Sequence, residues 1–291
     1  MMNAASVRLL VTIQLPGPDV VPNTRWTTRT RRVATFTVMA AMLTLSAHTA
    51  SAQRMDVMTW TVDGATRRAT VYAPSAKSAG GRVPLVLSFH GHGDTIQNFQ
   101  HTDLHRAWPE AIVVYVQGLP SRDGLFGWQV ERGQDGDRDL RLVDVALTSL
   151  RAKLNIDDAR IYATGFSNGA NFTYLLWAER PAVFAAFAPV AARLRPSVHP
   201  TQPKPLLHIA GTQDVQIPFA DQQAAMETAR RVDGVTGTGA SCGNGCMIYG
   251  STSASPVMTW IHPGGHEYPD STSERIAQFF RDHPNAGARG K

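Results

Sequence analysis

From residue 53 onward the chain alternates between short apolar runs and longer stretches with helical spacing. Pro84–Phe89, Ile112–Val116, Arg160–Thr164, Phe184–Val190 and Leu206–Ala210 are almost continuously apolar, the pattern of strands buried on both faces. Val257–Ile261 reads as one more strand. Ahead of them, Met55–Val62 and Arg67–Tyr72 flank Asp63-Gly64, which predicts a hairpin. Leu140–Leu154 places Leu142, Val145, Ala146 and Leu150 at helical spacing, and Asn168–Ala178 and Glu274–Asp282 also read as helices. Strands alternating with helices predict an α/β fold: a mostly parallel sheet, helices on both faces and an N-terminal antiparallel hairpin. No repeat, low-complexity run or Pro/Thr-rich linker divides residues 53–291, which predicts a single domain.

Charge changes the picture at one end only. The 291 residues carry 28 Lys+Arg against 23 Asp+Glu, a formal charge of +5. Taken alone, that excess points towards nucleic acid or an anionic membrane. Residues 1–52, however, hold Arg8, Arg25, Arg29, Arg31 and Arg32 with a single acid, Asp19, so the remainder is near neutral. No nucleic-acid partner is expected. The last four of those arginines precede the uncharged run Val33–Ala47, and Ala50-Ser51-Ala52 supplies a small-x-small cleavage pattern. Residues 1–52 therefore read as a signal region, with Thr30-Arg31-Arg32 a weak twin-arginine match and 1–23 either an extension of the charged n-region or an over-extended start. The uncharged run is shorter than the ~20 residues of a membrane span. A secreted or periplasmic protein without stable membrane insertion is expected. Cys242 and Cys246, in the small-residue loop SCGNGC, then read as a local disulfide, since no second Cys or His pair stands near to complete a zinc site.

The strongest chemical signal is Gly165-Phe166-Ser167-Asn168-Gly169, between a predicted strand and a predicted helix. That context makes Ser167 a candidate nucleophile on a sharp strand-to-helix turn, whose flanking side chains must be small. The expected chain order continues with an acid after a late strand and a histidine near the C-terminus. Asp214 follows Leu206–Ala210, and His266 stands in the loop His262-Pro263-Gly264-Gly265-His266 after Val257–Ile261. The competing acids are Asp221, which reads as a helix N-cap, and Asp233; the competing bases are His262, ending a strand, and His283, expected to be solvated. For the oxyanion, the N–H of Asn168 is one expected donor and the N–H of His92, in the loop His90-Gly91-His92-Gly93-Asp94, the other.

That same loop carries the rival chemistry. His90-x-His92-x-Asp94 matches the front of a metallo-β-lactamase motif, so a zinc-dependent hydrolase is the alternative. Thr95 stands where that motif needs another His, and no His lies between His105 and His199. No metal and no cofactor is expected. Gly91-His92-Gly93 is not a dinucleotide fingerprint, because Ile96 replaces the third Gly. Asp135-Gly-Asp137-Arg-Asp139 is not a calcium loop, because Leu140 and Ala146 replace its Gly and closing Glu; these acids are expected to complement a helix dipole.

From about Val83 to Pro269 the chain resembles the secreted α/β-hydrolases of the poly(3-hydroxybutyrate) depolymerase, feruloyl esterase and acetylxylan esterase group. The resemblance rests on LVLSFHGHG, GWQ at Gly127–Gln129, ARIYATGFSNGA, HIAGTQDVQIPF and GGHEYP. It implies an α/β-hydrolase fold, a Ser167–Asp214–His266 triad and an ester substrate, polymeric or not. It also places the His92 N–H at an oxyanion position usually occupied by a cysteine. Glu267-Tyr268 stands where a Thr-Trp pair is common, and Val215-Gln216 replaces a Pro-Val type turn. Trp128, Phe219 and Tyr268 are candidate substrate walls, and Phe166 is expected in the core. Residues 191–204 leave little room for a lid, so an open site is expected.

Overall fold

The computed structural model describes residues 53–75 and 81–285. The expected signal region, 1–52, lies outside the described residues. In chain order the elements are β1 (Gln53–Val62), β2 (Ala65–Pro74), β3 (Val83–Phe89), α1 (Ile96–Phe99), α2 (Leu104–Ala107) and β4 (Ile112–Val116). A two-residue pair follows, β5 (Leu119–Pro120) and β6 (Phe126–Gly127), then α3 (Arg138–Lys153), β7 (Ile156–Phe166), α4 (Asn168–Glu179) and β8 (Ala186–Val190). The chain ends through β9 (Leu206–Gly211), α5 (Phe219–Val232), β10 (Ala240–Gly243), β11 (Cys246–Tyr249), β12 (Val257–His262) and α6 (Thr272–Asp282).

The main sheet has ten strands in the order β1-β2-β4-β3-β7-β8-β9-β12-β11-β10. The six central strands, β4 to β12 in that order, run parallel, and an antiparallel hairpin closes each side. The fold is that of the α/β-hydrolases, as the sequence predicts. The first hairpin turns on Asp63 and Gly64, both at positive φ, which suits the right-handed twist of its strands. The second hairpin is a feature the sequence reading took for a loop. All four residues of β10 are exposed, so no apolar alternation marks it as a strand.

Alternation along the buried strands divides the core between the two faces of the sheet. Leu85, Leu87 and Phe89 of β3 join Leu142, Val143, Ala146 and Leu150 of α3 on one face. Val86 joins Val113, Tyr115, Tyr162 and Phe280 on the other. On α6, Ile276, Phe279 and Phe280 are buried, each contributing roughly 1.5–3 kcal/mol of apolar transfer. A fully buried ion pair, Arg67 to Asp139 at 2.7 Å, ties β2 to the first turn of α3. Asp139 also accepts the Gln129 N–H at 2.8 Å, which pins the GWQ segment beneath the sheet's carboxyl edge. The loops after β3, β7, β9 and β12 all emerge at that edge, where open α/β sheets bind their ligands.

Candidate active site

Ser167 is the single residue between β7 and α4, and its φ of 54° and ψ of −115° lie in a region that L residues rarely adopt. Its N–H donates to Val190 O at 2.9 Å, so the strained turn is anchored to the neighbouring strand. Gly165 and Gly169 make this turn sterically feasible. A Cβ on Gly165 would come 2.5 Å from the Gly169 carbonyl carbon, and one on Gly169 would collide with the carbonyl oxygens of Phe89 and His90. Three backbones thus touch directly beneath the serine.

His266 Nε2 lies 2.8 Å from Ser167 Oγ, and its Nδ1 lies 2.8 Å from Asp214 Oδ2. The Asp214 side chain is wholly buried. Its Oδ1 accepts the N–H groups of Gln216 and Ile217 at 2.9 and 2.8 Å, and its Oδ2 accepts Gln222 Nε2–H at 3.0 Å as well as His266. A carboxylate accepts and cannot donate, so it selects the imidazole form protonated at Nδ1 and leaves Nε2 to accept the serine proton. Thr212 N–H to His262 O at 2.9 Å and Gln213 N–H to Gly264 O at 3.0 Å bind the two loops together.

The proposed oxyanion donors flank the serine. Asn168 opens α4, and its backbone N–H belongs to the unsatisfied set at a helix start. Its side chain brackets Trp128, accepting that residue's N–H at 2.7 Å and donating to its carbonyl at 3.2 Å. A Cβ on Gly91 would sit 3.7 Å from Ser167 Cβ, so the loop that holds His92 packs against Ser167. Among the described residues, no hydrogen bond takes up the backbone N–H of His92 or of Asn168.

The three expected substrate walls separate. Trp128 is not a wall: it is 1% exposed, stacks on Phe172 at 5.5 Å, meets Phe89 at 5.0 Å, and donates its Nε1–H to His90 O at 3.0 Å. An indole offers both a large apolar face and one donor, which suits a buried floor better than an open rim. Tyr268 is half-buried against Phe166 and Phe99, its hydroxyl is engaged with Ser273 Oγ at 3.1 Å, and burial pushes that hydroxyl's pKa up. Phe219 is half-buried at the start of α5. Phe166, expected in the core, is half-buried with its ring 5.0 Å from that of His266, so it flanks the site.

The rival residues have other partners. Asp221 is not the N-cap of α5; Pro218 holds that position, and Asp221 in the first turn pairs with Arg193 at 3.5 Å. Asp233 accepts the N–H of Lys204. His262 is buried, accepts the Gly264 N–H at Nδ1, and faces Glu267 at 3.5 Å; burial lowers its pKa. His283 is not solvated as expected: it is half-buried, donating to Phe279 O at 2.7 Å. The zinc alternative fails on geometry. His90 is fully buried, with Nδ1 donating to Gly91 O and Nε2 accepting the Gly118 N–H, and burial lowers its pKa. His92 turns to Asp123 at 2.7 Å, and Asp94 accepts the Thr95 N–H. Among the described residues no three His, Cys, Asp or Glu side chains gather as metal ligands. Cys242 and Cys246 are bonded at the tip of the β10–β11 hairpin. No helix among the described residues is long and apolar enough to cross a membrane.

Gln222 was missed by sequence reasoning. Its signal was available: with Ala225, Met226 and Ala229 it forms the buried stripe of α5, where a lone polar side chain needs a partner.

No protein-family model matches the chain. A bifunctional acetylxylan esterase/xylanase of Neocallimastix patriciarum is 30% identical over 177 residues, covering 57% of this chain and 24% of that one. The chain therefore spans about a quarter of that relative's length. NocK of Nocardia uniformis subsp. tsuyamanensis, an esterase by name, is 29% identical over 252 residues, covering 72% of this chain and 73% of its own. Among solved structures, an acetyl xylan esterase from Aspergillus awamori superposes with a TM-score of 0.61 at 14% identity, covering 78% of this chain and 99% of that one.

Proposed function

We propose that this chain cleaves carboxylic esters through an acyl-enzyme, a reading supported by its similarity to esterases of the acetylxylan esterase, feruloyl esterase and poly(3-hydroxyalkanoate) depolymerase type. One observation carries the reading: the line of two 2.8 Å contacts from Ser167 through His266 to buried Asp214. In the proposed cycle His266 takes the Ser167 proton as Oγ attacks the ester carbonyl. Charge developing on the carbonyl oxygen is received by the N–H groups of Asn168 and His92. His266 then passes the proton to the departing alcohol oxygen. Water, deprotonated by the same imidazole, attacks the acyl carbon and releases the acid. The cycle uses side chains and backbone N–H groups of this chain together with one water molecule.

The proposed substrates are polyhydroxyalkanoate chains or oligomers, and feruloyl or acetyl esters of plant polysaccharides. The family supports this breadth. The short segment 191–204, without helix or strand, supports an open site that admits a large substrate. Export is also proposed, supported by the arginine-then-apolar pattern of residues 25–47 and by the Cys242–Cys246 bond.

The test is hydrolysis of p-nitrophenyl acetate and butyrate by the full chain and its Ser167→Ala variant. A loss of about a thousandfold or more is expected; equal rates would end the proposal. A panel of 3-hydroxybutyrate, feruloyl and acetyl-xylan esters ranks the substrates. For export, recovered extracellular or periplasmic protein beginning at Gln53 is expected, whereas an intact N-terminus on cytosolic protein overturns it.

A further inference from the structure

Behind the carboxylate of Asp214 the hydrogen bonding continues inward. Gln222 Nε2 lies 3.0 Å from Asp214 Oδ2, the same oxygen that faces His266, and 2.8 Å from Ile217 O. Gln222 Oε1 lies 3.4 Å from His208 Nε2, and His208 Nδ1 lies 2.7 Å from the Tyr174 hydroxyl. Gln222 and His208 are fully buried and Tyr174 nearly so. They come from three separate elements, α5, β9 and α4.

The donors and acceptors in this row have one consistent assignment. Asp214 Oδ2 and Ile217 O are both acceptors, so the Gln222 atom facing them must be the NH₂ group. Its Oε1 then faces His208 and must accept. A neutral imidazole carries one N–H, which must lie on Nε2, leaving Nδ1 to accept from the Tyr174 hydroxyl. Burial keeps His208 neutral, with its pKa lowered to about 4. Protons therefore point the same way throughout: Tyr174 to His208, His208 to Gln222, Gln222 to Asp214.

We infer that Gln222, oriented by His208 and Tyr174, is a positioning residue that fixes the Asp214 carboxylate against His266. This rests on the proposed Ser167–His266–Asp214 reading. Flipping the Gln222 amide would place Oε1 against two acceptor oxygens, so the buried row denies it that state. Without the Gln222 donor, Asp214 keeps its backbone bonds on Oδ1, but Oδ2 is held by His266 alone. The carboxylate plane is then freer to turn, and more negative charge faces the imidazole.

The test uses the full chain with Gln222→Leu, Tyr174→Phe and the double variant, each assayed against p-nitrophenyl butyrate. Rates are normalised to active sites titrated with a fluorophosphonate, so a misfolded fraction does not count. For Gln222→Leu the expected result is a ten- to hundredfold fall in kcat with KM nearly unchanged, the scale on which small misplacements act. The acid limb of kcat/KM should move to higher pH, because His266 faces a less neutralised carboxylate. The other titratable groups near Asp214 are His208 and, on the His266 loop, His262 with Glu267; the substitution removes the acceptor of His208 Nε2–H, which favours its neutral form further, and leaves the residues of the His262–Glu267 pair in place. Tyr174→Phe should produce a smaller change of the same kind, and the double variant should be no worse than Gln222→Leu. A merely structural role would lower the titratable fraction while leaving per-site kcat and the acid limb in place, and that result overturns the inference. Additive effects in the double variant overturn the part assigned to Tyr174 and His208. Should Ser167→Ala keep the wild-type rate, the esterase mechanism falls and this inference falls with it. An inactive Ser167→Ala beside a wild-type Gln222→Leu removes only this inference.

Discussion

His92 Nε2 lies 2.7 Å from Asp123 Oδ2, so the loop proposed to supply an oxyanion donor is latched to the turn between β5 and β6. The bond holds the Asp123 carboxyl below its ordinary range. Because that pKa is lowered, the latch is at full strength above about pH 4 and is lost as pH falls through the Asp123 pKa. Asp123→Ala should reduce kcat about three- to tenfold at pH 7 with the melting temperature almost unchanged, since the pair is exposed and adds little to stability. Steady-state kinetics with parallel calorimetry check it; an unchanged kcat would show that the latch does not hold the donor.

Gly127 offers a sharper probe of the same corner. A Cβ there would lie 2.8 Å from Ser121 Oγ, 2.9 Å from His92 Nδ1 and 3.1 Å from Asn168 Oδ1, all side-chain atoms that can yield. Gly127→Ala should fold and yet lose about tenfold or more in kcat, because both residues proposed to hold the oxyanion, His92 and Asn168, are pushed. Gly169→Ala meets the carbonyls of Phe89 and His90 instead, which cannot yield. It should cost about 3 kcal/mol or more, or leave no soluble protein. Thermal unfolding and per-site kinetics on the two variants separate the cases.

Asp233 makes stability depend on pH. Burial pushes its carboxyl up to about 7, and one oxygen, Oδ2, has no hydrogen-bond partner among the described residues. The folded chain therefore holds a proton that the unfolded chain has released between about pH 4 and 7. The sign follows: stability falls as pH rises through that window and stays reduced above it. Asp233→Asn keeps an acceptor for the Lys204 N–H and cannot ionise. It should gain roughly 1–3 kcal/mol relative to wild type between pH 5 and pH 8. Urea unfolding at the two pH values measures the change; parallel pH dependence of the two proteins would contradict the assignment.

The Cys242–Cys246 bond closes a loop of sequence separation 4 at the tip of the β10–β11 hairpin. Chain entropy for so short a loop suggests about 2 kcal/mol of stabilisation at most. The double Cys→Ser variant should lose no more than that and should keep wild-type kcat. A large loss of activity would show that the hairpin communicates with the site.

The parallel strands and Ser167, Asp214 and His266 were legible because both leave local marks. Buried strands read as apolar runs, and each of the three residues follows such a run in a small-residue loop. Trp128 was misplaced because an aromatic residue near a site motif reads alike as wall or floor until its neighbours, Phe89 and Phe172, are known. His90 looked like a metal ligand for the same reason: its partner, the Gly118 N–H, lies 28 residues away. The Gln222–His208–Tyr174 row was invisible for a stronger reason. Three polar residues on separate elements share no spacing rule, although His208 interrupting an apolar strand and Gln222 interrupting an apolar helix face each signal an unmet hydrogen-bonding need.

The four-residue β10 forms one margin of the sheet, and its register with β11 breaks between Ser241 and Gly243. A straight, regular margin would offer a ladder of free amides and carbonyls on which a second chain could extend the sheet. Here the break shortens that ladder to a few irregular rungs. The side chains along it are small, with nothing to interdigitate with an incoming strand. The sheet thus ends in a segment unsuited to the fibrous stacking of one copy on another.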